Sequence, residues 1–121
     1  MTEVLGGFEA QAHLFQALSH PVRLRILDIL ASQEACVCHL TCALGRRQPY
    51  VSQQLATLRE AGLVADRREG TLIYYRLADD HVASLLDEGK ALVGALTSES
   101  LAFPAVPEEV LDDCPCPRCH A

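Results

Sequence analysis

Val51-Ser52-Gln53-Gln54-Leu55-Ala56-Thr57-Leu58-Arg59-Glu60-Ala61-Gly62-Leu63-Val64 is the stretch on which the fold turns. Val51, Leu55 and Leu58 recur at helical spacing, which predicts a helix over 49–61 with one apolar stripe. Gly62 is a natural stop, since glycine takes the left-handed conformation that closes a helix at little steric cost. The period then changes from helical to alternating. Residues 63–68 and 71–77 read as two strands, and Glu69-Gly70 between them reads as the turn of a hairpin.

On the N-terminal side, a short helix is predicted over 36–44, ending at Gly45. Before it Val22, Ile26, Ile29 and Leu30 line one face of a helix that Pro21 begins and that ends near Ser32. Phe8, Ala12, Leu14, Phe15 and Leu18 mark a first helix over 8–18. On the C-terminal side Val82, Leu85, Leu86, Leu92, Val93 and Leu96 mark a last helix over 80–96. The order of four helices, a hairpin and a helix is that of a winged helix-turn-helix, mainly α with a small β-hairpin and extra N- and C-terminal helices. Two parts are expected: a winged-helix domain over 1–97, and a tail over 98–121 in which Pro104, Pro107, Pro115 and Pro117 forbid a continuous helix.

The chain has 121 residues, half of them hydrophobic, enough for one domain with its own core and too many for a wholly disordered chain. The N-terminal MTEVLGGFEA has no basic stretch leading into an apolar run, and no segment approaches the roughly 18 uninterrupted apolar residues of a membrane span. A soluble, cytoplasmic protein with no membrane partner and no small-molecule substrate is the expectation. The net charge of −6 argues against a nucleic-acid binder until its distribution is examined. Arg46, Arg47, Arg59, Arg67, Arg68 and Arg76 fall in one segment, opposed by Glu60, Asp66 and Glu69. The tail carries Glu99, Glu108, Glu109, Asp112 and Asp113 against Arg118. The middle is basic and the end acidic.

In a helix-turn-helix the second helix lies in the major groove. With Val51, Leu55 and Leu58 buried, Gln48, Tyr50, Ser52, Gln53, Gln54 and Thr57 are the candidate DNA-contacting residues of that helix. Gln pairs with adenine through two hydrogen bonds, and Ser serves several bases. Arg46 and Arg47 before the helix suit phosphates, and Arg67, Arg68 and Thr71 put donors on the wing. The plain alternative is a solvated helix face, which any surface helix needs.

All six cysteines fall in two clusters, Cys36, Cys38 and Cys42, then Cys114, Cys116 and Cys119. Thiolates select zinc, cadmium, lead, copper(I) or arsenic(III) over hard cations. In a reducing compartment such clusters argue for metal or redox chemistry, and three disulfides are the rival only if the protein is secreted. Cys38 and Cys42, four apart, face one side of a helix and can share an ion; Cys36 is expected to join them only if the first turn is distorted.

Ala17-Leu18-Ser19-His20-Pro21-Val22-Arg23-Leu24-Arg25-Ile26-Leu27, the 51–64 stretch quoted above, and Glu69-Gly70-Thr71-Leu72-Ile73-Tyr74-Tyr75-Arg76-Leu77 together resemble the ArsR/SmtB family of metal-responsive repressors, over residues 10–97. The resemblance implies a homodimer, built largely from the first and last helices, that binds a palindromic double-stranded operator and is released by an inducer ion. Glu34-Ala35-Cys36-Val37-Cys38-His39-Leu40 resembles the family's third-helix metal motif, with Ala35 and His39 departing from its usual Leu and Asp. The cysteine spacing also departs from the family's arsenic sensors, where a third cysteine follows the second at three residues rather than four. Asp79-Asp80-His81 matches half of the family's last-helix zinc site, but Leu92 and Ala95 stand where the other ligands belong, so those residues read as a helix N-terminus.

Some relatives complete the third-helix site with cysteines from a terminal arm. By that analogy Cys36 and Cys38 plus two of Cys114, Cys116 and Cys119 make a tetrathiolate for cadmium, lead or zinc, with arsenic(III) at three cysteines as the alternative. His39 and His120 are candidate fourth ligands, and a self-contained tail cluster is the competing arrangement. His13 and His20 read as surface or packing residues. Three other readings stand beside this one. A redox or persulfide sensor of the same fold would pair Cys36 or Cys38 with a tail cysteine, and a zinc-stabilised winged helix would serve protein contacts. A thiol enzyme is disfavoured because Cys-x-Cys here has no thioredoxin-like βαβ context.

Overall fold

The computed structural model describes residues 2–97 and 101–104, so the tail cysteines lie outside the described residues. Its elements are α1 (Thr2–Leu18), α2 (Pro21–Ser32), β1 (Ala35–Cys36), α3 (Val37–Leu44), α4 (Gln48–Glu60), β2 (Val64–Glu69), β3 (Leu72–Leu77) and α5 (Asp80–Leu96). The expected winged helix-turn-helix is present, with two differences. Helix α1 starts six residues before the expected 8–18 and carries Gly6 and Gly7 inside it, each costing about 1 kcal/mol relative to alanine. The hairpin is part of a three-stranded antiparallel sheet of order β1-β3-β2, because the two residues before α3 pair with β3.

The helix boundaries follow from capping. His20 Nδ1 accepts from the Val22 backbone N–H at 3.2 Å and Pro21 opens α2, so a histidine does the work usually given to serine or aspartate. Cys36 is the N-cap of α3, its Sγ accepting from the His39 N–H at 3.4 Å. Gly45, at φ 62°, ends α3 and turns the chain into α4. Gly70, also at φ 62°, turns β2 into β3, in the register Arg67↔Tyr74 and Arg68↔Ile73. Asp79 caps α5.

The core gathers Ile26, Leu27 and Ile29 of α2, Leu40 of α3 and Val51, Leu55 and Leu58 of α4, all without solvent exposure. Leu63, Val64, Tyr75 and Val82 close it from the sheet and from α5. The terminal helices contribute little: Ala17 and Leu18 from α1, and Val82 as the buried residue of α5. Leu14, Leu85 and Leu86 are half-buried against this core, while other apolar side chains of the two helices are exposed, Phe8 at 69%, Leu92 at 58% and Leu96 at 75%. Among the described residues no helix is long and apolar enough to cross a membrane.

Candidate nucleic-acid interface

Helix α4 is set against α2 and α3 by its Val51-Leu55-Leu58 stripe, which turns Gln48, Ser52 and Gln53 to solvent on the opposite face. Thr57 is half-buried and its hydroxyl donates to the Gln53 carbonyl at 3.3 Å. Tyr50 is half-buried too, its hydroxyl 3.4 Å from His20 Nε2 and its ring beneath the Arg46 guanidinium at 5.8 Å. Arg46 and Arg47 are exposed at the entry to α4, with Arg47 as its N-cap residue. Arg67, Arg68 and Thr71 are exposed on the wing, either side of Gly70.

Gln54 does not belong with them. It is 7% exposed, and its Oε1 accepts from Arg23 Nε at 2.9 Å while Arg23 also donates to the Ala17 carbonyl at 3.0 Å. Gln54 stands three residues after Val51 and four before Leu58, which places it on the buried stripe. There its amide oxygen accepts a hydrogen bond from an α2 arginine at the junction of α1, α2 and α4. Expected as a groove residue, it is a core residue.

Arg67 is exposed but engaged. Its Nε and one terminal nitrogen hold both oxygens of Glu34, the closest contact being 2.6 Å, and its other terminal nitrogen reaches Glu69 at 2.6 Å. Its guanidinium also lies 4.5 Å from the centroid of the Tyr74 ring. The hydrogen bond from Arg67 holds the Glu34 carboxyl below the ordinary range, and the same bond raises Arg67. Nothing local in the sequence ties Glu34 to the wing, because 33 residues separate it from Arg67. His20 and Arg23 were likewise invisible as supports of α4. The one available signal was Gln54, a polar residue at a stripe position that needed a buried partner.

The cysteines of the described residues form one cluster. Cys36 is buried at 2% exposure, and Cys38, Cys42 and Tyr74 pack against it. The Sγ atoms of Cys36 and Cys38 are 2.7 Å apart, a thiol–thiol contact longer than the roughly 2.05 Å of a disulfide. A distorted first turn is not needed for this. Cys36 stands outside α3 in an extended conformation, φ −81° and ψ 161°, so its sulfur can turn toward Cys38. His39 is fully buried.

Among the described residues no group of three His, Cys, Asp or Glu is arranged to hold a metal ion. The donors are chemically right for a thiophilic ion, but their spacing is too tight. Two thiolates around a tetrahedral zinc stand about 3.8 Å apart at bonds of roughly 2.3 Å, so the pair must open to fit one. Asp79 and His81 form a local cap: Asp79 Oδ1 accepts from the His81 backbone N–H at 2.7 Å and meets Nδ1 at 2.6 Å.

Residues 20–66, from the start of α2 into β2, match the family described as bacterial regulatory protein, arsR family. The chain is 47% identical over 88 residues to a Synechocystis protein named as a transcriptional repressor SmtB homolog, an overlap of 71% of this chain and 67% of that protein. The chain belongs to the ArsR family. An arsenic resistance transcriptional regulator of Pseudomonas putida is 48% identical over 65 residues, covering 53% of this chain and 56% of its own length. The solution structure of a homodimeric winged helix-turn-helix DNA-binding domain from Mycobacterium bovis, titled a possible ArsR-family regulator, superposes with a TM-score of 0.71 at 33% identity, over 84% of this chain and 94% of that one. Membership in a family of regulatory proteins assigns α4 and the hairpin, in this ArsR-family chain, to the helix-turn-helix and wing.

Proposed function

We propose that this ArsR-family chain is a homodimeric repressor that binds a palindromic operator and is released when a thiophilic ion binds its cysteines. The observation that carries the reading is the Cys36–Cys38 thiol pair at the head of α3, one turn-linked helix before α4, with Cys36 paired to Tyr74 of the wing. Arg46 and Arg47 contact phosphates before the helix; Gln48, Ser52 and Gln53 face the groove, with Tyr50 and Thr57 at its margin; Arg67, Arg68 and Thr71 serve the wing. Two-fold symmetry sets the two α4 helices in successive major grooves, about 34 Å apart.

Cys36 and Cys38 would hold the ion with Cys42, or with two of Cys114, Cys116 and Cys119 brought from the tail. Four sulfurs suit cadmium, lead or zinc; three suit arsenic(III). An ion held there would part the Cys36 and Cys38 sulfurs and tie together groups that differ in backbone attachment, Cys36 belonging to the sheet and Cys38 and Cys42 to α3. A coupling of about 3 kcal/mol between ion and DNA changes operator affinity more than a hundredfold, and linkage requires DNA to weaken the ion equally.

Release from labelled upstream duplex DNA, ion by ion, tests the reading. Cadmium, lead, zinc or arsenite should free the DNA from the native chain and from neither Cys36→Ser nor Cys38→Ser. Truncation after Leu111 should weaken the cadmium or lead response if the tail contributes sulfurs; if truncation changes nothing while Cys42→Ser abolishes the arsenite response, the site is the three-cysteine one. The 2.7 Å thiol contact also favours a second reading, a redox-sensing repressor in which an oxidant takes two electrons and two protons from paired thiols to form a disulfide. Release by peroxide with all metal chelated, and none by any ion, would establish that reading and remove the first.

A further inference from the structure

Arg67 is an exposed wing arginine whose donors suit a phosphate, yet its three nitrogens are already on carboxylates. Glu34 takes Nε and a terminal nitrogen together, the fork geometry in which a guanidinium also takes two oxygens of a phosphate. Glu34 lies just before β1, on the strap between α2 and the cysteine cluster, and is not part of the wing. The pair is half-open to solvent, at 44% and 31% side-chain exposure, and an exposed pair of this kind is weak enough to exchange for another anion. The stack of Arg67 on Tyr74, which pairs with Cys36, keeps the guanidinium at this place.

We infer that Glu34 is an internal stand-in for the DNA phosphate, a positioning residue that holds Arg67 against the body of the domain and sets a threshold on duplex binding. The inference rests on the DNA-binding reading above and names a residue that the reading does not use. On binding, Arg67 exchanges Glu34 for a backbone phosphate; the freed carboxylate stays behind as a charge that the DNA must tolerate. The device limits non-specific binding, since a duplex that does not fit elsewhere does not offset the lost pair.

The test uses the full chain and a labelled upstream duplex of about 30 base pairs, long enough for two half-sites one turn apart. Glu34→Gln keeps the shape and removes the charge; Glu34→Ala is read in parallel, with circular dichroism as the check on folding. Binding should tighten at least about threefold at low salt, while the plot of log affinity against log salt keeps its slope, because Arg67 meets the same phosphate with or without Glu34. In an Arg67→Gln background, where only the repulsion between the Glu34 carboxylate and the DNA is left to relieve, the same Glu34 substitutions should tighten binding clearly less. If Glu34→Gln leaves affinity unchanged, or tightens binding equally in the Arg67→Gln background, the stand-in is wrong and the DNA-binding reading survives. If the native chain binds neither this duplex nor a longer upstream fragment, the DNA-binding reading fails and takes this inference with it.

Discussion

Gln53 and Gln54 are adjacent and chemically identical, and the helix gives them opposite tasks. Gln53 is exposed; Gln54 is buried with its oxygen on Arg23. Gln54→Ala removes the acceptor of a partly buried charged donor and should cost about 1.5–3 kcal/mol, measured by urea unfolding, while leaving sequence preference intact. Gln53→Ala should do the reverse: no loss of stability, but reduced discrimination between the operator and scrambled duplex. Equal behaviour of the two variants would mean that the α4 face is wrongly oriented. The stripe itself was legible, because Val51, Leu55 and Leu58 bury as their spacing requires. At Gln54 residue type points to the groove and position points to the core, and position decides. At Asp79 the cap was legible from the Asp-x-His at a helix start. Its carboxyl is held below the ordinary aspartate range, first by the His81 backbone N–H and then by the His81 ring. A lowered folded value means that the stability from this group is present above the unfolded pKa and is lost as pH falls through the folded one. Asp79→Asn keeps a capping oxygen without titrating, so the native chain's advantage over it should shrink on acidification below about pH 4.

Elements long enough to show a period were readable, and the one too short to show any was not. Helix α5 spans its expected 80–96, α4 and β2 differ from expectation by a residue at each end and β3 by one residue at its start, the ordinary uncertainty of helix and strand termini. Strand β1 has two residues, Ala35 and Cys36, and no alternation can be seen in two positions; only its partners Tyr75 and Tyr74 reveal it. That strand changes the account of the cysteines, because it fixes Cys36 to the sheet rather than to α3. The junction at Gly45 is equally specific. At φ 62° a side chain is strained even though open space surrounds the position, so Gly45→Ala should cost about 1 kcal/mol by backbone strain alone. Because this turn aims α4, the same variant should weaken duplex binding by more than its stability loss explains, measured by fluorescence anisotropy at a temperature where it is fully folded. Unaltered affinity would show that the α3–α4 angle is held by the core and not by the turn.

As a single chain the molecule is unfinished on one side. Leu5, Phe8 and Phe15 of α1 and Leu92, Val93 and Leu96 of α5 are all exposed large hydrophobics on two helices, more than isolated surface apolar residues account for. The sequence periodicity marked Phe8, Phe15, Leu92 and Leu96 as stripe residues, and they are; what periodicity cannot say is whether a stripe faces the chain's own core or another chain. A groove of about 840 Å³ bounded by Phe15, Leu24, Leu92, Val93 and Phe103 lies on the same side. The homodimer proposed through the terminal helices would cover this side by an isologous contact, in which each substitution acts twice. Leu92→Glu should therefore split the dimer: sedimentation should move from twice 13.2 kDa toward 13.2 kDa, with the helical content kept because Leu92 supports nothing in the monomer core. Loss of the dimer separates the two half-site contacts, so duplex affinity should fall by a hundredfold or more, since tethering two binding units gains roughly 10²–10⁴. The response to ions is the decisive comparison. A site contained in one protomer keeps its cadmium affinity in the Leu92→Glu monomer, read from thiolate charge-transfer absorption, whereas a site that borrows tail cysteines across the dimer loses it together with the dimer.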